Sequence, residues 1–193
     1  MPQQPQLEGQ VELETGITPR EDGTIEVFYR VINDLDVPIL LLTPLSRVMD
    51  NEVIAEPERV YAYVDPDGVL HVTKRSWPMP DAIDVYFPEV PYATRVESGA
   101  SFEERLRLKL PVALEYPYRG TGQGGAAVVA EAQGFAYSIG YMVEDLGGLN
   151  QGSRNGEDRA TLVVSYGTTV RHQRILQGEL LKVGVPVKDC KEG

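Results

Sequence analysis

The chain has 193 residues and a mass of 21.3 kDa, enough for one domain to bury a core without disulfides or metals. Its 18 basic and 29 acidic residues give a net charge of -11, which opposes attraction to nucleic acid or to anionic lipid. The hydrophobic fraction of 42% is typical of globular proteins, and no apolar run reaches the ~18 residues that a membrane helix needs. We therefore expect a globular domain with neither a nucleic-acid partner nor a membrane insertion.

Both ends of the chain lack an apolar pattern and are expected to be flexible tails. The first tail, residues 1–9, begins Met1-Pro2-Gln3-Gln4-Pro5-Gln6, which is neither basic nor apolar and so is not a signal peptide. This start fits a cytoplasmic protein, or a periplasmic or extracellular one whose export signal has been trimmed. The second tail, residues 188–193, holds the single cysteine, Cys190, so an internal disulfide and a cysteine-based metal site are both excluded.

The first half of the chain alternates between short apolar strands and turns. Residues 24–33 place β-branched and aromatic side chains at every second position, which predicts a strand with one buried face. The turn ending at Asp22-Gly23 joins this strand to one that begins at Val11. Pro38 places the start of the next strand at an edge or bulge, and residues 48–54 are predicted to form one further strand.

The second half continues the β pattern. Asp65-Pro66-Asp67-Gly68 is a tight turn between two alternating segments and predicts a hairpin. Residues 101–110 fit a helix through the capping pair Ser101 and Glu104, but their alternating leucines favour a strand. Later strands are predicted as follows: 83–87, 135–143, 162–166 and 170–183, with a bulge at Gly178. The sequence thus predicts an all-β, single-domain, two-sheet antiparallel sandwich of immunoglobulin-like architecture over residues 10–187.

No motif supplies a convincing catalytic or cofactor site. The glycine pattern of residues 120–125 lacks the preceding strand and following helix that a dinucleotide site needs, so no cofactor is expected. Ser138, Asp158 and His172 follow the chain order of a hydrolase triad, but Ser138 falls within a predicted strand and not at a sharp turn. His71 and His172 lie on separate predicted strands, which disfavours a two-histidine metal site.

A cluster of carboxylates flanks the long glycine-rich loop of residues 145–158. Calcium prefers several such oxygen ligands, so the cluster is a candidate cation site, although its spacing matches no EF-hand. A solvated acidic rim is the simpler interpretation. The four residues are Glu144, Asp145, Glu157 and Asp158.

Candidate binding residues are the aromatic and apolar side chains of the predicted loops, namely Trp77, Tyr118 and Leu149. Trp77, the single tryptophan, stands in a proline-rich segment and is either a recognition anchor or a lid on the core. Residues 37–45 pose a similar choice between a buried strand and an exposed edge that a partner strand could extend.

These patterns favour a non-catalytic binding or accessory protein of a bacterial cell envelope, with another protein as its partner. One alternative is a protein inhibitor or chaperone-like binder that uses an edge strand or a loop. The other is a small serine hydrolase built on Ser138 and His172. Nothing in the sequence indicates the oligomeric state.

Overall fold

A computed structural model describes residues 8–49, 52–79, 91–115, 117, 131–144, 152–153 and 161–189, and strands dominate these ranges. The strands of the first half are β1 (Val11–Pro19), β2 (Thr24–Asn33), β3 (Ile39–Leu41), β4 (Leu45–Met49), β5 (Glu52–Glu56), β6 (Tyr61–Val64), β7 (Val69–Lys74) and β8 (Tyr92–Val96). Those of the second half are β9 (Ser101–Lys109), β10 (Val112–Leu114), β11 (Glu131–Ala132), β12 (Gly134–Val143), β13 (Gly152–Ser153), β14 (Thr161–Val163), β15 (Arg174–Gln177) and β16 (Val185–Asp189). The all-β prediction is confirmed.

One short helix, α1 (Tyr166–His172), lies within the described ranges, where the sequence predicted strands. Its buried residue is Thr169, whose hydroxyl donates to the Ser165 carbonyl one turn earlier. Period-two burial is not sustained through this segment, so the apolar Val170 misled the strand prediction. His172 accordingly ends a helix and does not lie on a strand.

Strands β1, β2 and β9 form an antiparallel sheet in that order. Ile25 of β2 pairs with Leu108 of β9, and Val27 pairs with Leu106. All four side chains are buried, so one face of this sheet is directed at the core. The strand interpretation of residues 101–110 is therefore confirmed over Ser101–Lys109.

The largest sheet is built around β12. The sequence predicted antiparallel sheets, but this sheet also contains a parallel pair of strands. β12 pairs with β7 in parallel, and in a separate sheet β10 pairs with β16 in the same way. Parallel neighbours need a long crossover connection, and about sixty residues separate β7 from β12 along the chain. The hydrophobic pattern that identified the strands carries no information about this direction.

β7 and β3 occupy successive parts of the same edge of β12. Residues 134–139 pair with β7, and residues 141–143 pair with β3. Ser138 and Tyr141, which belong to these two stretches, both also pair with β15. Since a strand residue has one partner on each edge, β15 lies opposite both β7 and β3, and these two strands meet end to end near Gly140.

The main core lies where β2 faces β12. The rings of Tyr29 and Tyr137 stack across it with 4.6 Å between their centres. A smaller cluster that includes Leu40, Leu42 and Met142 forms separately from the main core. The main core and this second cluster both draw on β3 and β12, whose alternate residues point to opposite faces of the sheet.

Residues 37–45 contribute to the interior and not to a free edge. β3 pairs with β12 on one side and β8 on the other, and Ile39, Leu40 and Leu41 are fully buried. Pro38 precedes the paired residues, so its missing N–H costs no ladder bond, and the edge assignment was wrong. The predicted strand at residues 48–54 is instead part of a hairpin of β4 and β5.

Candidate functional site

An open cleft of about 290 Å³ lies between the β6–β7 turn, β12 and the segment that follows β15. The side chains that line it are mixed in character: Asp65, Asp67, Val69, His71, Ser138 and Leu180 are among them. Asp67 is exposed, and Leu180 is 52% exposed although it is a large apolar residue. The cleft therefore offers carboxylates beside apolar surface, in a region that solvent can reach.

The tight turn between β6 and β7 fixes the Asp65 carboxylate in this cleft. One oxygen accepts the Val69 backbone N–H at 2.9 Å, and the other lies 2.8 Å from Nε2 of His71. Gly68 adopts a φ of 79°, which glycine tolerates without strain. Burial tends to raise the pKa of Asp65, but the hydrogen bonds from His71 and Val69 outweigh it and lower that pKa. Asp65 therefore stays anionic at neutral pH.

Aromatic side chains extend from the cleft toward Trp77. Tyr63 pairs with His71 across the hairpin, and their rings stack with centres 5.0 Å apart. Tyr63 also meets Trp77 edge to face at 5.6 Å, and the Arg75 guanidinium lies 3.8 Å from the centre of a Trp77 ring. Trp77 is partly buried, and its carbonyl accepts the Tyr166 hydroxyl at 2.6 Å. One of its faces is thus covered by a cation.

Ser138 lies in the cleft, but its partner is not a histidine. It is a residue of β12, as predicted, and its hydroxyl donates to Oγ1 of Thr73 at 2.8 Å. His172 ends α1, and Asp158 lies outside the described residues. The imidazole that shares the cleft is His71, which uses Nε2 for Asp65 and not for the serine. A nucleophilic serine needs a hydrogen bond to its base, and the described residues provide none here.

Of the four predicted calcium ligands, Glu144 is described, and its carboxylate is engaged by an arginine. Arg95 Nε lies within 2.9 Å of both carboxylate oxygens of Glu144. Asp145, Glu157 and Asp158 lie outside the described residues. Within the described part of the chain no group of three or more potential metal ligands comes together. The calcium site stays a prediction.

A second polar cluster, around Lys74 at the end of β7, lies in the interior. The ammonium group is fully buried and bonds to Thr43 Oγ1 at 3.0 Å, the Pro57 carbonyl at 2.6 Å and Glu104 Oε2 at 2.6 Å. Tyr29 also donates to Glu104. The three donors of Lys74 are thus fully used, which indicates a structural role.

Burial dominates the electrostatics of this cluster. It lowers the pKa of Lys74, an effect that the Glu104 carboxylate opposes. It raises the pKa of Tyr29 well above the ordinary value, and the nearby charges add to that shift. The pKa of Tyr137 is raised for the same main reason. Each group therefore stays un-ionised more readily than it would in water.

The structure brings together some site residues that sequence reasoning did not combine. Trp77 was a predicted binding residue and is joined by Tyr63, His71 and Arg75, whereas Tyr118 and Leu149 lie outside the described residues. The predicted hairpin was a usable signal, because pairing through its turn sets Tyr63 opposite His71. No sequence signal indicated that Ser138 would join this group.

Comparisons with family models, curated proteins and solved structures gave no match to this chain. Within the described residues no helix is long and apolar enough to cross a membrane.

Proposed function

We propose that this chain is a non-catalytic protein-binding module whose cleft receives a basic side chain of its partner. The observation that carries the proposal is the open cleft in which Asp65 and Asp67 stand beside apolar residues. A lysine or arginine has matching chemistry, because its head is cationic and its stem is apolar. The stem would pack on Val69 and Leu180 while the head meets the carboxylates.

The charge of the whole chain supports a basic partner. A net charge of -11 attracts cationic surfaces and speeds their encounter with the protein. Asp65 is held in place by its own turn before any ligand arrives. A carboxylate that is already oriented loses little conformational freedom on binding, which favours affinity.

We also propose a fold, a lack of catalytic activity and a cellular location for this module. The scaffold is a two-sheet, immunoglobulin-like sandwich, supported by the stacking of Tyr29 on Tyr137 between β2 and β12. The module is not an enzyme, in keeping with a Ser138 hydroxyl that is bonded to Thr73. Its cellular location is a bacterial cell envelope, or the cytoplasm if no export signal precedes the chain.

The test uses a trilysine peptide and two variants that remove equal charge. Asp65→Asn with Asp67→Asn neutralises the cleft, and Glu12→Gln with Glu21→Gln neutralises two exposed residues of the β1–β2 hairpin region. We expect the cleft variant to bind trilysine about fivefold or more weakly at physiological salt, equivalent to about 1 kcal/mol. The control variant should bind within about twofold of the unmodified chain, because diffuse surface charge is screened. Calorimetry measures both.

An equal loss of affinity in the two variants would show that trilysine binding depends on net charge alone. It would contradict the proposal that the cleft is the binding site. Chemical-shift changes in NMR spectra provide a second measure. They should be centred on Val69, His71 and Leu180 when the peptide is added. Shifts confined to other strands would also contradict the proposal.

A further inference from the structure

Arg75 is a partly buried cation that has no counter-charge among the residues that the structure describes. The described residues include three partly buried arginines, Arg30, Arg59 and Arg75. Arg30 Nε lies 3.3 Å from a Glu103 oxygen, and Arg59 Nη2 lies 2.6 Å from a Glu115 oxygen. Arg75 has no ion pair within the described part of the chain. A guanidinium removed from water without a partner is costly, so its isolation calls for an explanation.

Two buried N–H groups at this site also have no hydrogen-bond partner in the part of the chain that the structure describes. Nε of Arg75 and Nε1 of Trp77 are both inaccessible to solvent, and neither has a hydrogen-bond partner among the described residues. Cζ of the guanidinium lies over a Trp77 ring, 3.8 Å from its centre. A guanidinium that packs on an aromatic face is restrained there and keeps the N–H groups, which lie in its own plane, available as donors. Because Nε is closed to solvent, a ligand that approaches this partly exposed residue would meet the terminal Nη groups of its guanidinium.

We propose that Arg75, held on Trp77, binds a carboxylate group supplied by a ligand. The two oxygens of a carboxylate match two parallel N–H groups of a guanidinium. Arg75 supplies one positive charge, which balances a monoanion. A phosphate dianion would keep an unbalanced negative charge against a chain whose own net charge is -11. The ligand class is thus a carboxylic acid, including an acidic side chain or a free chain end of a protein.

This carboxylate site is distinct from the acidic cleft that receives the basic side chain. Tyr63 contacts both regions, through His71 on one side and Trp77 on the other. The two sites carry opposite charges, so neither can substitute for the other. The carboxylate site depends on Arg75 and not on Asp65 or Asp67, and each proposal can fail without the other.

Trp77 makes the experiment direct, because it is the single tryptophan of the chain and it touches the guanidinium. Sodium acetate is titrated at constant ionic strength, with sodium chloride as the balancing salt, and the tryptophan emission is recorded. We expect a saturable change in emission and a higher melting temperature, since a ligand that binds only the folded state stabilises it. Arg75→Gln should abolish both effects.

Three variants complete the test. Arg171→Gln removes an exposed arginine of α1 and should retain the full acetate response. Arg75→Lys keeps the positive charge but loses the planar guanidinium with its parallel N–H donors, and it should bind acetate about fivefold or more weakly. Asp65→Asn with Asp67→Asn should leave the acetate response unchanged. Circular dichroism establishes that each variant is folded.

Two results would contradict the proposal that Arg75 binds a carboxylate. The first is an emission change that follows acetate concentration without saturation in the unmodified chain. The second is a saturable change that Arg75→Gln retains. Either would mean that Arg75 covers Trp77 for packing alone.

Discussion

At the scale of single residues, the least expected feature is a fully buried lysine. Lys74 ends a strand whose preceding core residues, Leu70 and Val72, are apolar, and it continues their face of the sheet. Because β7 and β3 meet end to end along β12, Lys74 lies next to Thr43, and β9 supplies Glu104. An ammonium group is tolerated there because its hydrogen bonds are complete.

Removing this ammonium group should be costly. Lys74→Ala removes the cation that pairs with Glu104 and the donor to Thr43 Oγ1, and we expect a loss of about 3–5 kcal/mol in the free energy of unfolding. Lys74→Met retains the packing of the stem and should lose less. Lys182→Ala, at an exposed position, should change the same quantity by no more than about 0.5 kcal/mol. Urea unfolding measures all three, and equal losses for Lys74→Ala and Lys182→Ala would refute the structural role.

At the scale of elements, β12 organises the large sheet. It pairs with β7, β3 and β15, and side chains from neighbouring elements close over it near Gly140. A Cβ at Gly140 would lie 2.7 Å from Leu42 Cδ1, 3.0 Å from Gln173 Oε1 and 3.3 Å from Arg75 Cβ. A side chain larger than that of glycine would therefore force the Leu42 side chain to move and would crowd Gln173 and Arg75.

Gly140→Ala should destabilise the protein by about 1–3 kcal/mol, because the inserted methyl group overpacks this junction. Gly16→Ala is the matched control, since it is also a strand glycine and a Cβ there would meet nothing within 4 Å. The control should be neutral or slightly stabilising, as alanine reduces the freedom of the unfolded chain. Thermal unfolding compares the two variants. A melting temperature of Gly140→Ala at or above that of Gly16→Ala would contradict the packing described for β12.

At the scale of the whole molecule, two stacked tyrosines connect the core to alkaline stability. The pKa values of Tyr29 and Tyr137 are raised in the folded protein, so the unfolded chain releases their protons first, near pH ~10. Their contribution is complete below that pH and is lost as pH rises through the folded values. The lowered pKa of Lys74 acts in the opposite direction, but its effect ends once the unfolded lysine has also lost its proton.

We therefore expect stability to fall steeply above pH ~10. The chain has 10 tyrosines, and the phenolate absorbance of two of them should appear only as circular dichroism reports unfolding. Tyr29→Phe should remove one of these late phenolates and reduce the dependence of stability on pH. Complete ionisation of all the tyrosines in a chain that is still folded would show that the stacked pair is accessible to solvent.

The sequence by itself determined strands with a clear alternation and the tight turn between β6 and β7, although it predicted strands where α1 lies. Alternation identified β2 and β12 because a strand with one buried face has a period of two, and Asp65-Pro66-Asp67-Gly68 identified its hairpin because the turn requires those backbone angles. These are local properties of the chain. The parallel pairing of β7 with β12, the interior position of β3 and the burial of Lys74 depend on which distant strands become neighbours. Only the tertiary structure decided these three features. It also decided that Asp65, His71 and Ser138 lie in one cleft. The physical reason is that a hydrophobic pattern indicates that a side chain is buried but not which residue it packs against.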